Sequence, residues 1–587
     1  MSALPVAVLA LAAYALGYRV YSRWLARRLF RLDPAAATPA HRMRDGVDYV
    51  PTRPLVLFGH HFASIAGLAP MLGPAVAVFW GWLPALVWVV LGALLVGCVH
   101  DFTALVLSVR HGGHSIGALC ERILGPFAKA LFLALIFFGV ALAMGVFVYV
   151  ISVLFTWGDD FRPDALHESV TSFPMVVMPS AGLMVLALVS GWLLYVRRLP
   201  LAPVAAVGFA LLLGLLGLAF RWPTMGFARD AWPAQTTWIW LLMGYAWLAS
   251  VLPVWLLLQA RDFLNSLLLF LGLGLMYLGF FLLGPRFDAP AVNPEPTGAP
   301  PLFPFVFVTI ACGAASGFHA LVASGTTSRQ LDREPDARPI GYGGMMAESL
   351  LGLIAVLACT ATLGGHEAWA RLYVNWAAVA DSLGAKLGVF IRGAASFVAA
   401  VGVPPELATT LVAMVVVSFA LTTLDSATRI LRFNVEEIAS SLRRVPLLGA
   451  ATAAFANRFL ATSVAVAAIL FFAFYEIDGK PAGLALWTLF GGTNQLIAGL
   501  ALLTGAVYLH RIGRRSWPLL LPAAFMLVTT LSSLAVQIGR FARVGEWLLL
   551  TLAVLLVLIG LGVAVAAVAA WRRPLTPASG PAEGGAA

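Results

Sequence analysis

Apolar stretches about twenty residues long follow one another almost from end to end of this 587-residue chain, with short polar connections between them. A hydrocarbon core of roughly 30 Å is crossed by about 20 residues of helix. Inside it, backbone N–H and C=O groups must be paired within the segment, so stretches of this kind form helices. The repetition points to an all-α integral membrane protein before any motif is read. Composition agrees: 61% of the residues are hydrophobic, 11% are charged and the mean hydropathy is +0.91, outside the range of soluble globular domains.

Apolar windows place spans near residues 3–20, 56–76, 84–109, 130–155, 175–196, 201–220, 237–257 and 263–284. Seven more lie near 302–326, 343–363, 407–431, 453–475, 482–507, 517–538 and 546–571, about fifteen in all. An odd number puts the termini on opposite sides. On that assignment RVYSRWLARRLFR, RHGGHSIGALCERILGPFAK, Arg197 with Arg198, SRQLDREPDAR, LRRVP and HRIGRR share one side. The acidic GDDFRPDALHE and the Pro-rich DAPAVNPEPTGAPP share the other. The excess of Lys and Arg marks the cytoplasmic side, so the N-terminus is expected outside and the C-terminus inside. Residues 364–404, apolar but interrupted, read as an external helical hairpin or lid, and residues 575–587 as a disordered tail.

The net charge of +10 resides in those connections rather than in one stripe, which argues against nucleic acid as a partner. Cys98, Cys120, Cys312 and Cys359 stand singly in or beside apolar segments and read as packing residues. The N-terminal apolar stretch has no basic residue before it and no convincing cleavage site, so it reads as a retained first span. There is no GxSxG and no phosphate-cradling Gly-Lys-Ser/Thr loop, and GGHEAW lacks the second histidine of a zinc-protease helix. Nothing points to an enzyme, a cofactor or a resident metal.

An ionisable side chain in hydrocarbon costs at least ~2.5 kcal/mol on insertion scales, so each one is a candidate for function. Here they are His60, His61, His100, Asp101, Arg261, Asp262, His319, Glu348 and Asp425, with Asn494 and Gln495 as neutral company. In FGHHFASIAG the stretch from Gly59 to Gly67 reads as unwound, freeing backbone groups for a ligand, with His60 and His61 suited to protons; the alternative is two hydrated histidines at the headgroup boundary. His100 and Asp101 are adjacent in GCVHDFTALVLS and form a coupling pair or a structural polar network. SGFHALVASGTT, with Gly317, His319, Ser324 and Thr326, reads as a second substrate or ion segment, the alternative being tight helix packing. Thr422, Thr423 and Asp425 offer hard oxygens to a cation or a proton acceptor, unless Asp425 merely pairs with Arg429 one turn on. Glu348 and Asn494 are secondary candidates for the same cavity.

His61 and Gly67 have the same separation as His319 and Gly325. Seven spans separate the starts of the two motifs, so the second crosses in the opposite sense, as in an inverted repeat, and Phe58–Gly67 and Gly317–Gly325 read as a mirrored pair of broken helices.

FGHHFASIAG, LPVWLLLQARDFLNS, GFHALVASGTTSRQL, DARPIGYGGMMAE, LTTLDSATRILR and LFGGTNQLIAGLALL together resemble the carbon starvation protein (CstA-type) family, over about residues 50–510. The resemblance implies an inner-membrane secondary transporter of the amino acid/polyamine/organocation superfamily, with peptides or pyruvate as substrates. It also implies a LeuT-type fold of two inverted five-helix repeats. On this chain the first repeat would span 56–220, two inserted helices 237–284 and the second repeat 302–507. Residues 1–50 and 511–574 would be peripheral. Ala260 and Ser349 depart from the family pattern next to Asp262 and Glu348.

The expectation is a symporter importing short peptides or pyruvate-like carboxylates with protons or sodium. Gly59, His60, His61, Gly67, Gly317, His319, Ser324, Thr326 and Asn494 would bind substrate. His100, Asp101, Glu348, Thr422, Thr423 and Asp425 would couple the ion. A membrane nutrient sensor and a transition-metal transporter are the alternatives.

Overall fold

The computed structural model describes residues 1–158, 172–376, 383–443, 452, 454–477, 480–481 and 486–573. Most of the acidic GDDFRPDALHE connection, the end of LRRVP and the 575–587 tail fall outside the described residues. Apart from a short hairpin pairing Glu476–Ile477 with Lys480–Pro481, regular structure among the described residues is helical.

The principal helices are α1 (Leu4–Phe30), α2 (Pro54–Ile65), α3 (Ala69–Trp80), α4 (Trp82–Arg110), α5 (Ile116–Leu124), α6 (Pro126–Phe155) and α7 (Pro174–Val196). There follow α8 (Leu201–Arg221), α9 (Gln235–Val251), α10 (Leu258–Leu283), α11 (Leu302–Thr309), α12 (Ala311–Ala314), α13 (Gly317–Gly325) and α14 (Glu334–Ala358). The rest are α15 (His366–Leu372), α16 (Leu383–Ala400), α17 (Pro405–Leu442), α18 (Arg458–Phe474), α19 (Trp487–Arg511), α20 (Trp517–Val544) and α21 (Trp547–Trp571). Among the described residues twelve helices are long and apolar enough to cross a membrane, and the bent pair α2 and α3 passes as one more. The count of fifteen is not reached on that criterion. The second broken helix is in three short pieces, and α9 and α18 have 17 residues each.

The basic connections meet at one end of the bundle. Arg110 Nε lies 2.6 Å from Glu334 Oε1, Arg329 Nε donates to the Gly113 carbonyl at 3.2 Å and Arg514 to that of Leu29 at 2.8 Å. At the far end the Ala3 N–H donates to Pro285 (3.0 Å), Trp82 to Pro290 (3.1 Å) and Asp288 to Thr360 (2.7 Å). The N-terminus therefore lies at the far end. The C-terminal helix finishes at the basic end, where Trp571 stacks on His510 at 4.1 Å.

Helix α16 passes the length and composition test, yet its neighbours along its length belong to the far end. Lys386 Nζ donates to the Leu372 carbonyl at 2.5 Å, and Phe397 lies edge-on to Phe280 at 5.4 Å. Tyr373, just past α15, donates to the Ala75 carbonyl at 2.8 Å. The geometry is that of a hairpin laid across one face of the bundle.

The interior is built from α4, α6, α14, α17 and α19. In the central window of α17 94% of residues are buried, against 17% in α1 and 28% in α21, which places the latter two at the periphery.

Two helices are interrupted. The first is helical through Ile65, so Gly59, His60 and His61 lie in regular helix, contrary to the expected unwinding from Gly59. Gly59 packs closely on α10 instead: a Cβ there would stand 2.5 Å from Ser266 Oγ. The break comes at 66–68, where Ala66 leaves the helical region (φ −77°, ψ 88°) and the Gly67 N–H turns back to the Ile65 carbonyl at 3.0 Å. Pro70, near the restart, has no N–H to leave unpaired, and the two halves are bent by 46°. The second helix breaks at Ile310 and again at Ala315 and Ser316, both extended. Gly317–Gly325, expected to be the broken segment, is the regular helix that follows. The first runs from the basic end to the far end and the second runs back. They cross closely, since a Cβ on Gly73 would stand 2.6 Å from the Thr309 carbonyl.

Candidate functional site

The two breaks face one small cavity. The first broken helix contributes Ile65, Gly67 and Pro70, and the second Cys312, Phe318 and Leu321. Met144 and Phe147 of α6, Thr423 of α17 and Phe490 and Asn494 of α19 complete the wall. The lining is apolar except at the breaks, where helix geometry frees backbone groups that only side chains, water or a ligand can pair at that depth. Asn494 holds the second break: its Oδ1 accepts from the Phe318 N–H at 3.0 Å and from Ser316 Oγ at 3.2 Å. Thr423 holds the first, donating to the Ser64 carbonyl at 3.3 Å. Gly67 keeps the space open, because a Cβ there would stand 2.8 Å from Phe147 and 3.0 Å from Thr423 Oγ1.

Beside the cavity, in the first turn of α13, lies His319. Its Nδ1 is 2.8 Å from Asp101 Oδ2, and its Nε2 is 2.9 Å from Glu348 Oε2, at ion-pair distance but outside hydrogen-bond geometry. His100 Nδ1 holds the other Asp101 oxygen at 2.8 Å. All four side chains are buried, and one imidazole thus joins carboxylates from α4 and α14. His61 Nε2, His100 Nε2 and both Glu348 oxygens lack a hydrogen-bond partner, an arrangement able to take up a proton.

A second group sits where α2, α10 and α17 meet. His60 Nδ1 is 2.6 Å from Asp262 Oδ2, and Asp262 Oδ1 accepts from Arg261 Nη2 at 2.8 Å. Arg261 Nη1 pairs with Asp425, which also accepts from the Tyr245 hydroxyl at 2.7 Å. The expected alternative of an Asp425–Arg429 pair is therefore corrected. Arg429 turns toward the basic end, to Asp48 Oδ1 at 3.1 Å and to the carbonyls of Ala249 and Leu252. An i, i+4 spacing permits a pair, but burial leaves Asp425 to whichever cation α10 brings.

Of the residues singled out from sequence, Gly67, Asn494 and Thr423 line the cavity, and His319, Asp101, Glu348 and His100 form the group beside it. Gly317 packs on α19. His61 binds Thr327 Oγ1 at 2.9 Å. Ser324 and Thr326 lie away from the cavity: Ser324 Oγ accepts from the Ile116 N–H at 3.0 Å, and both hydroxyls donate to carbonyls one turn back. Thr422 supports Asn265 at 2.9 Å. Arg261 and Asp262 carried no assigned role, although the run of Gln259, Arg261, Asp262 and Asn265 in an otherwise apolar helix was the available signal. Ser349, one of the departures, bonds the Val89 carbonyl at 2.8 Å and Tyr14 at 2.5 Å, tying α14 to α4 and α1 beside Glu348. Among the described residues no three His, Cys, Asp or Glu side chains are arranged to hold a metal ion.

The family model described as carbon starvation protein CstA matches residues 2–369 and 370–533, a wider range than the motifs alone suggested. The "Peptide transporter CstA" of Campylobacter jejuni is 33% identical, the match covering 90% of this chain and 80% of that protein. For the Escherichia coli protein of the same name the values are 32%, 91% and 81%. The Escherichia coli "Pyruvate/proton symporter BtsT" is 31% identical, over 92% of this chain and 82% of its own. Among solved structures, a manganese transporter of Eremococcus coleocola aligns with a TM-score of 0.40 and 12% identity, over 90% of this chain and 99% of that one. That likeness is too loose to carry an argument.

Proposed function

The chain belongs to the carbon starvation protein CstA family, and from that membership we propose that it moves short peptides or pyruvate-like carboxylates across the membrane in symport with protons. The observation that carries the reading is the placing of one small cavity between two oppositely directed broken helices, with the buried His319–Asp101–Glu348 group on the same helix as its lining residues Phe318 and Leu321. Substrate would bind in the cavity by the N-terminal ends of α3 and α13, where helix dipoles favour a carboxylate. Gly67, Thr423 and Asn494 would set its fit.

Protonation of the His319 group changes the charge that joins α13 to α4 and α14. A proton and a substrate that both favour one arrangement of these helices shift the population together, which is what symport requires. By the distribution of Lys and Arg, the basic end is cytoplasmic and the N-terminus external; the family membership supports the cell's inner membrane as its place. The relatives' names are those of transporters and give no support to the sensor or transition-metal alternatives.

The test is uptake of labelled pyruvate and of a dipeptide panel into proteoliposomes with a pH gradient imposed. Accumulation of at least one substrate is expected. Failure of all of them to accumulate would refute the reading.

A further inference from the structure

The junction of α2, α10 and α17 holds a charge set that the cavity does not use. Thr422, Thr423 and Asp425, beside the end of α2, have the oxygen chemistry of a site for a hard cation such as sodium. In the structure Asp425 is instead paired with the chain's own cation, and both threonine hydroxyls are engaged elsewhere. Arg261 bridges Asp262 and Asp425, Thr423 is engaged by the Ser64 carbonyl and Thr422 by Asn265.

The charges do not balance as they stand. Asp262 and Asp425 carry two negative charges and Arg261 one positive, all three no more than 2% exposed. Tyr245, from α9, contributes only a hydroxyl, and Asp425 Oδ1 has no hydrogen-bond partner to absorb the surplus. Around His60 the other facing group is Gln330, which is uncharged, and the neighbouring His61 turns instead to Thr327 Oγ1 at 2.9 Å. One uncompensated charge in a low-dielectric interior is strongly unfavourable. A single proton on the His60–Asp262 pair removes it.

We infer that Arg261 is the resident cation of this junction, paired with Asp425, and that the His60–Asp262 pair takes up one proton when the junction closes. The inference rests on the proton-symport reading and adds to it a binding site for the proton. A hydronium O–H bond breaks and its proton bonds to His60 Nε2, leaving water, while Nδ1–H keeps its hydrogen bond to Asp262. In the neutral form Nε2 faces the Gln330 amide nitrogen at 3.4 Å, Gln330 Oε1 accepts from Gln259 at 2.5 Å, and Gln259 Oε1 accepts from the half-buried Tyr195 hydroxyl at 2.6 Å. A new N–H at Nε2 requires an acceptor, so the Gln330 amide must turn over, which costs its nitrogen the bond it donates to the Thr326 carbonyl at 3.2 Å.

The experiment compares pH and sodium gradients, imposed separately, on proteoliposomes of the full chain supplied with pyruvate and the dipeptide panel. A gradient of about one pH unit should drive roughly ten-fold accumulation by the wild type, and a sodium gradient none. His60→Gln should lose the pH-driven accumulation while substrate exchange in the absence of a gradient falls much less. A wild-type pH response in His60→Gln would overturn the inference with the proton-symport reading intact. Sodium-driven accumulation in place of pH-driven accumulation by the wild type, or absence of accumulation and exchange with every substrate, would overturn both. Should His60→Gln fail to fold, Asp262→Asn carries the same expectation, and the sodium comparison needs no variant.

Discussion

His319 Nδ1 lies 2.8 Å from Asp101 Oδ2, so the helix that resumes after the second break is tied to α4 by a buried imidazole–carboxylate bond. Glu348 closes the group from α14 at 2.9 Å. Three helices are therefore joined at a point beside the cavity where a change of protonation alters their attraction.

Glu348→Gln keeps the side chain's shape and removes its titration. Proton-driven accumulation should fall at least about ten-fold, the equivalent of one pH unit of driving force, with exchange affected less. An unchanged dependence of uptake on pH would show that Glu348 takes no part in coupling.

Gly67→Ala tests the cavity. The added Cβ would press on Phe147 at 2.8 Å and Thr423 Oγ1 at 3.0 Å, at a cost of about 1–3 kcal/mol for overpacking. The variant should remain folded in the membrane and bind substrate more weakly in exchange assays. Wild-type exchange would place the substrate elsewhere.

A double-mutant cycle distinguishes the two cations near Asp425. Asp425→Asn leaves Arg261 with one carboxylate fewer, and breaking a buried pair costs about 3–5 kcal/mol. The loss should be smaller when Arg261→Gln is already present, whereas Asp425→Asn and Arg429→Gln should add independently. Thermal unfolding in detergent gives the comparison. Coupling between positions 425 and 429 would contradict the geometry.

Helix α16 is apolar enough to span but lies along the far end. Cysteines at Gly384 and Ala400, at its two ends, should both react with an impermeant thiol reagent applied to the same side, against a background in which all four native cysteines are buried. Labelling from opposite sides would make α16 a span.

The helical architecture was legible because apolar segments of crossing length have no other solution, and the two broken helices were legible from glycine with histidine in mirrored places. The positions of the breaks were not. Glycine marks close approach as readily as irregular backbone, and Gly59 serves Ser266 of α10 while Ala66 and Ala315, unremarkable in sequence, leave the helix. The partner of Asp425 was hidden for a related reason. Local spacing favoured Arg429, but the cation that reaches it is brought by α10 from far along the chain, and sequence distance carries no record of that meeting. Ser324 and Thr326 shared a motif with His319, but on a helix their hydroxyls turn to carbonyls one turn back, at the basic end.

The central claim is that substrate and proton cross together. Proteoliposomes loaded with a pH-sensitive dye, given pyruvate or a transported dipeptide outside with no gradient imposed, measure this directly. Acidification of the lumen that begins with substrate addition and is absent without protein is the expected result. Substrate entering with no change of internal pH, or no substrate entering, would contradict the account.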